Sequence, residues 1–173
     1  FDPEIMKISV SGNREGGEAI NSGIEIVEAA SKQTGEVRLT EAGTYTVTVA
    51  LTNPGYYWSG YDEDVLELSF TVKIDKADLK DLSVSVGHTT YDDAEQPKPG
   101  WTYGETFQEE WVTYKGNYGG GTVTWHYSGT LNDDTNYSDT AEAPTNAGSY
   151  EVYIEIAATD NFNAGSTSAK PAE

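Results

Sequence analysis

The chain has 173 residues, 29 acidic against 10 basic side chains for a formal net charge of −19, and no cysteine. Such a charge disfavours nucleic acid and anionic lipid, whose phosphates need a basic face, and the lack of Cys excludes a disulfide framework, a zinc–thiolate site and a thiol nucleophile. No apolar run approaches the roughly 18 residues that span a bilayer, and the length suits one domain or two small ones.

The chain opens at Phe1 rather than Met and is expected to be an excised piece whose targeting segments lie elsewhere. Met6, Ile8 and Val10 alternate with polar residues and predict a first strand, followed by the turn signal Ser11-Gly12-Asn13. Between Val27 and Lys32, Glu28-Ala29-Ala30 interrupts the alternation, and a helical turn is expected there alone. Tyr45, Val47, Val49 and Leu51 share one face of the next strand, which ends before Asn53-Pro54-Gly55. Leu66, Leu68, Phe70, Val72 and Ile74 alternate with Glu67, Ser69, Thr71 and Lys73, which predicts a strand with one buried and one wet face. Beyond the polar step Asp75–Asp78, short runs recur at Leu82–Val86, Val123–Tyr127 and Val152–Ile156, parted by the turns Gly119-Gly120-Gly121 and Asn132-Asp133-Asp134. Many short strands separated by turns predict an all-β fold of immunoglobulin-like sandwiches.

An internal repeat sets the expected number of sandwiches. Ala42-Gly43-Thr44-Tyr45-Thr46-Val47 recurs 105 residues later as Ala147-Gly148-Ser149-Tyr150-Glu151-Val152, so two copies of one unit are expected. The boundary falls at the polar step and gives two tandem immunoglobulin-like β-sandwiches, residues 1–76 and 77–173. From Ser166 onward no apolar alternation occurs, so the last strand of the second is expected to be truncated. Gly43-x-Tyr45 and Gly148-x-Tyr150 suit a structural corner, where a Tyr hydroxyl reaches back to an upstream backbone group and Gly permits close approach. Both halves are acidic, six basic against thirteen acidic residues to Lys76 and four against sixteen beyond it.

Several of these segments carry a family resemblance. Gly100-Trp101-Thr102-Tyr103-Gly104-Glu105, Val123-Thr124-Trp125-His126-Tyr127, Pro144-Thr145-Asn146-Ala147-Gly148-Ser149-Tyr150 and Ala157-Ala158-Thr159-Asp160-Asn161-Phe162 together resemble the bacterial immunoglobulin-like repeats of the MBG type. The first half, with Ala42-Gly43-Thr44-Tyr45, Tyr57-Trp58-Ser59 and Ile74-Asp75-Lys76-Ala77, is similar to a repeat that often precedes such a module, and the resemblance spans about Thr34 to Ser168. It implies a tandem module of a large secreted or wall-attached bacterial protein, serving as a stalk, spacer or adhesion element. No catalytic residues and no cofactor come with it. The implied partners are neighbouring repeats of the same chain, with a host or glycan ligand in reserve; a monomer is expected, without nucleic acid or membrane insertion. The implied place is extracellular, on the cell surface or attached to the wall.

Individual residues carry their own chemistry beside that resemblance. His88 and His126 are the only imidazoles and lack both a nucleophile elbow and metal-ligand spacing, so they read as turn and surface histidines. The acidic pairs Asp92-Asp93 and Glu109-Glu110 read as solvated loops, since adjacency in sequence does not make a glycosidase pair. Weak calcium candidates are Asp62 and Asp64, and Asp133 and Asp134, although neither loop matches an EF-hand pattern and no metal is expected. Tyr56, Tyr57, Trp58 and Tyr61 form one aromatic group and Trp101 and Tyr103 belong to another. They are candidate carbohydrate platforms, with capping of the sandwich ends as the structural alternative.

Overall fold

The computed structural model describes residues 2, 4–28, 35–91, 97–101, 103–168 and 170–172. Strands make up 52% of the described residues and no α-helix occurs among them, so the class is all-β. The chain divides into two compact units, Phe1–Lys76 and Ala77–Glu173.

The first unit holds β1 (Met6–Asn13), β2 (Ile24–Glu28), β3 (Gly35–Leu39), β4 (Gly43–Leu51) and β5 (Glu67–Ile74). β4 lies between β1 and β5, antiparallel to both, while β2 and β3 form a separate hairpin. The period-2 pattern of β4 places Tyr45 and Val47 inward, and they are 0% and 2% exposed. Ile20 and Ala42 are buried with them, so the tightest packing gathers at one end of the ribbon.

Three local expectations are corrected here. Ser11-Gly12-Asn13 is not a turn; it completes β1, with Gly12 paired to Tyr45. Val27 and Glu28 finish β2 in place of a helical turn, and Ala29–Lys32 lie outside the described residues. The apolar side of the run 66–74 is not fully buried either: Leu66, just before β5, and Phe70 within it are 48% and 56% exposed.

The second unit runs β6 (Lys80–Val86), β7 (Thr89–Tyr91), β8 (Pro97–Pro99), a 3-10 turn (Glu109–Trp111), β9 (Val112–Asn117), β10 (Val123–Leu131), β11 (Asn136–Thr140), β12 (Gly148–Ile156), β13 (Gly165–Ser166) and β14 (Lys170–Ala172). Its main sheet has the order β11-β10-β12, with β13 and β14 both along the far edge of β12. β6 and β9 form a two-stranded antiparallel ribbon. Val84 and Val112 from that ribbon join Tyr127, Val152, Ile154 and Ile156 from the main sheet in one buried cluster. Each fully buried side chain of this kind contributes about 1.5–3 kcal/mol. The C-terminal segment pairs with β12 as two short strands, β13 and β14. Between them Thr167, 8% exposed, accepts the Ile154 amide N–H on its Oγ1 at 3.1 Å and donates its own N–H to the Ile154 carbonyl at 3.0 Å. That exchange satisfies backbone groups that a gap in the ladder would leave bare.

Candidate functional site

Four groups of residues were singled out by their chemistry, and the fold treats each differently. At the corner of the first unit, the Tyr45 hydroxyl donates to the Glu41 carbonyl at 2.7 Å; in the second, the Tyr150 hydroxyl donates to the Asn146 carbonyl at 2.6 Å. Both bonds reach back four residues. Burial raises the titration of each phenol above its ordinary value. The two glycines stand where a strand edge presses close. A Cβ on Gly43 would lie 2.7 Å from the Asn13 carbonyl oxygen, and one on Gly148 would lie 2.5 Å from that of Thr130.

Across the ladder from each tyrosine is a second glycine that sequence reasoning missed. Gly12 pairs with Tyr45 and Gly129 with Tyr150. A Cβ on Gly12 would come 2.5 Å from the Tyr45 ring, and one on Gly129 would come 3.0 Å from the Tyr150 ring, so each phenol lies over a bare backbone. The signal was present as alternation continuing onto the glycine: Ile8-x-Val10-x-Gly12 and Trp125-x-Tyr127-x-Gly129. The likeness extends along both ribbons. Adding 117 to each β1 number and 105 to each β4 number carries every pair of the β1–β4 register onto a pair of the β10–β12 register.

The aromatic candidates separate into inward and outward members. Tyr56, Tyr57 and Tyr61 are 49%, 64% and 54% exposed on one loop. Trp58 instead lines an apolar cleft of about 740 Å³ in the first unit, and its Nε1 is buried without a hydrogen-bond partner among the described residues. In the second unit Trp101 donates its Nε1–H to the Pro144 carbonyl at 3.2 Å, packs edge-on to Phe107 at 5.2 Å and lies 6.3 Å from Trp111. Trp101 is thus a core-edge aromatic, and Tyr103 beside it projects away at 72% exposure.

The carboxylate candidates do not assemble. Asp62 and Asp64 are exposed on the loop after Tyr61, and Asp133 accepts the Thr135 N–H at 3.0 Å, a turn-forming bond. The Thr135 donors also hold Asp133 below the usual carboxylate range. Asp134 takes a left-handed backbone at φ 63° in that turn. Among the described residues no group of three His, Cys, Asp or Glu side chains is placed to hold a metal ion. Glu109 and Glu110 are exposed on the 3-10 turn, and Asp92-Asp93 lies outside the described residues.

One polar cluster had no counterpart in the sequence reading. On the outer face of β10–β12, His126 Nδ1 meets Asp139 Oδ1 at 3.0 Å, and Tyr153 donates its hydroxyl to Asp139 Oδ2 at 2.7 Å. The His126 and Tyr153 rings stack at 4.7 Å, and Glu155 Oε2 lies 3.5 Å from His126 Nε2. The Tyr153 bond is the main cause holding Asp139 below the usual carboxylate range, and the same bond pushes Tyr153 up to about 12. The bond ties β11 to β12 across β10. His88, the other imidazole, stacks on Trp111 at 3.9 Å with 8° between the planes.

Residues 106–170 match the family model of the MBG domain. The match is consistent with an MBG-type repeat in this segment. It contains the Tyr150 corner, the His126 cluster and most of the buried core of its unit. The matched segment also holds β13 and Thr167 and ends at Lys170, the first residue of β14. No curated protein and no solved structure matches the chain.

Proposed function

We propose that the chain is a pair of tandem immunoglobulin-like β-sandwich modules acting as a non-catalytic spacer or adhesion element of a bacterial surface protein. In this reading the protein is extracellular, on the cell surface or attached to the wall, and monomeric. It contacts neighbouring repeats and takes no cofactor. The observation that carries the reading is the MBG-domain match over residues 106–170. The register-identical ribbons and paired Tyr corners support it, because a stalk is built by repeating one unit. The net charge of −19 keeps such units soluble and disfavours adhesion to anionic polymers.

Stretching the chain from its ends in an optical trap tests the mechanical role. At about 3.3–3.6 Å per residue, units of 76 and 97 residues should release about 25–27 nm and about 32–35 nm in two separate steps. Gradual extension at low force, or one merged step, would refute it.

A second reading is favoured by one specific observation. Tyr56, Tyr57 and Tyr61 are all about half exposed or more on a single loop that continues into Asp62 and Asp64, an arrangement suited to stacking a sugar ring and bonding its hydroxyls. A glycan array probed with the chain and with Tyr57→Ala should show signals that the substitution removes. An array blank for both proteins eliminates the carbohydrate reading.

A further inference from the structure

The two ribbons share one register yet are covered differently. In the second unit, Ile154 and Ile156 are 0% and 1% exposed because the β6–β9 ribbon lies over them with Val84 and Val112. Val49 and Leu51 stand at the same register positions in the first unit and are only half-buried. Beside them Phe70 is 56% exposed, and the cleft of about 740 Å³ opens where β6–β9 would lie. The β2–β3 hairpin borders this cleft through Val37 and Leu39 and does not fill it. Along the outer edge of β5 no described residue makes a ladder pair.

We propose that this open face seats a two-stranded antiparallel β-ribbon, built like β6–β9 and contributed by polypeptide outside residues 1–173. Its inward positions carry branched aliphatic side chains that pack against Met6, Ile8, Val49, Leu68 and Phe70. The inference rests on the equivalence of the two sheets and not on the spacer role. One feature selects a ribbon over other occupants. The equivalent face of the same chain already holds one.

The test supplies the ribbon in cis. A copy of residues 77–117 is fused ahead of the full 173-residue chain through a flexible Gly/Ser linker of about 15 residues, which gives an effective concentration in the millimolar range. Amide hydrogen exchange is then followed at residues 47–51 and 66–74. The fusion should slow exchange there about tenfold or more relative to the unfused chain, and Phe70→Lys in the fusion should restore the fast rate. In the unfused chain Phe70→Lys should leave the melting of the first unit nearly unchanged, since that side chain is half in solvent. Exchange that stays fast in the fusion overturns the proposal, as does slowing that survives Phe70→Lys. Sedimentation showing that the unfused chain dimerises with the same segments protected assigns the face to a second copy and overturns it too.

Discussion

Tyr45→Phe removes one hydroxyl and leaves the ring where it is. The ring is fully buried, and the hydroxyl donates at 2.7 Å to the Glu41 carbonyl four residues upstream. A neutral hydrogen bond of this kind has a net worth of about 1 kcal/mol, and the loss rises towards about 3 kcal/mol if no water reaches the abandoned carbonyl. For a unit of this size, about 1 kcal/mol lowers the melting temperature by about 4–8 °C. Differential scanning calorimetry of the whole chain reads the effect, with the transition of the first unit expected to fall and that of the second to stay. Tyr150→Phe should produce the mirror result through loss of the 2.6 Å bond to Asn146. An unchanged first transition would mean that the corner hydroxyl stabilises nothing. If both transitions fell together under either substitution, the units would not be independent and the reasoning would fail.

Gly12→Ala should destabilise the first unit by about 1–3 kcal/mol in chemical denaturation, because its new methyl would overlap the Tyr45 ring; a neutral result would show that the ring can slide. Trp101→Phe should cost the second unit about 1 kcal/mol through the lost bond to Pro144, whereas Trp58→Phe forfeits no hydrogen bond in the first; equal losses in matched melts would contradict this. The Tyr153–Asp139 bond predicts two pH limbs. Asp139 is depressed in the fold, so its contribution is complete above its ordinary value near 3.8 and is lost as pH falls through the lower folded value. Tyr153 is raised, so its contribution is complete below 10 and is lost as pH rises through about 12. Tyr153→Phe should flatten both limbs in the melting temperature of the second unit, and limbs as steep as in the parent would disprove the assignment.

The strand content was legible because alternation is a local property: Tyr45, Val47 and Val49, or Val152, Ile154 and Ile156, declare a shared face from their spacing alone. Alternation does not say whether anything lies opposite that face. The Leu66–Ile74 run is the cleanest in the chain, yet Phe70 is more than half exposed, since burial depends on a covering layer that a strand does not encode. The same limit applies to the aromatics. Trp58 and Trp101 look alike in sequence, but among the described residues only Trp101 finds an acceptor, on Pro144, 43 residues away. Gly12 hid because Ser-Gly-Asn is also a turn signal, and its meaning as a seat for the Tyr45 ring depends on a partner 33 residues on. Asp139 reaches His126 and Tyr153 from β11, past a register shift between Tyr127 and Gly129 that no spacing rule anticipates.

The offsets of 117 and 105 differ by twelve residues, and the whole difference lies in the segment linking the two strands of each ribbon. Residues 14–43 make that link in the first unit and residues 131–148 in the second, while the pairing on either side is unaltered. The link therefore behaves as a cassette position. Loop closure costs only about 0.6 kcal/mol for each doubling of length, so an epitope or fluorophore-binding peptide spliced there should leave both Gly–Tyr seats intact.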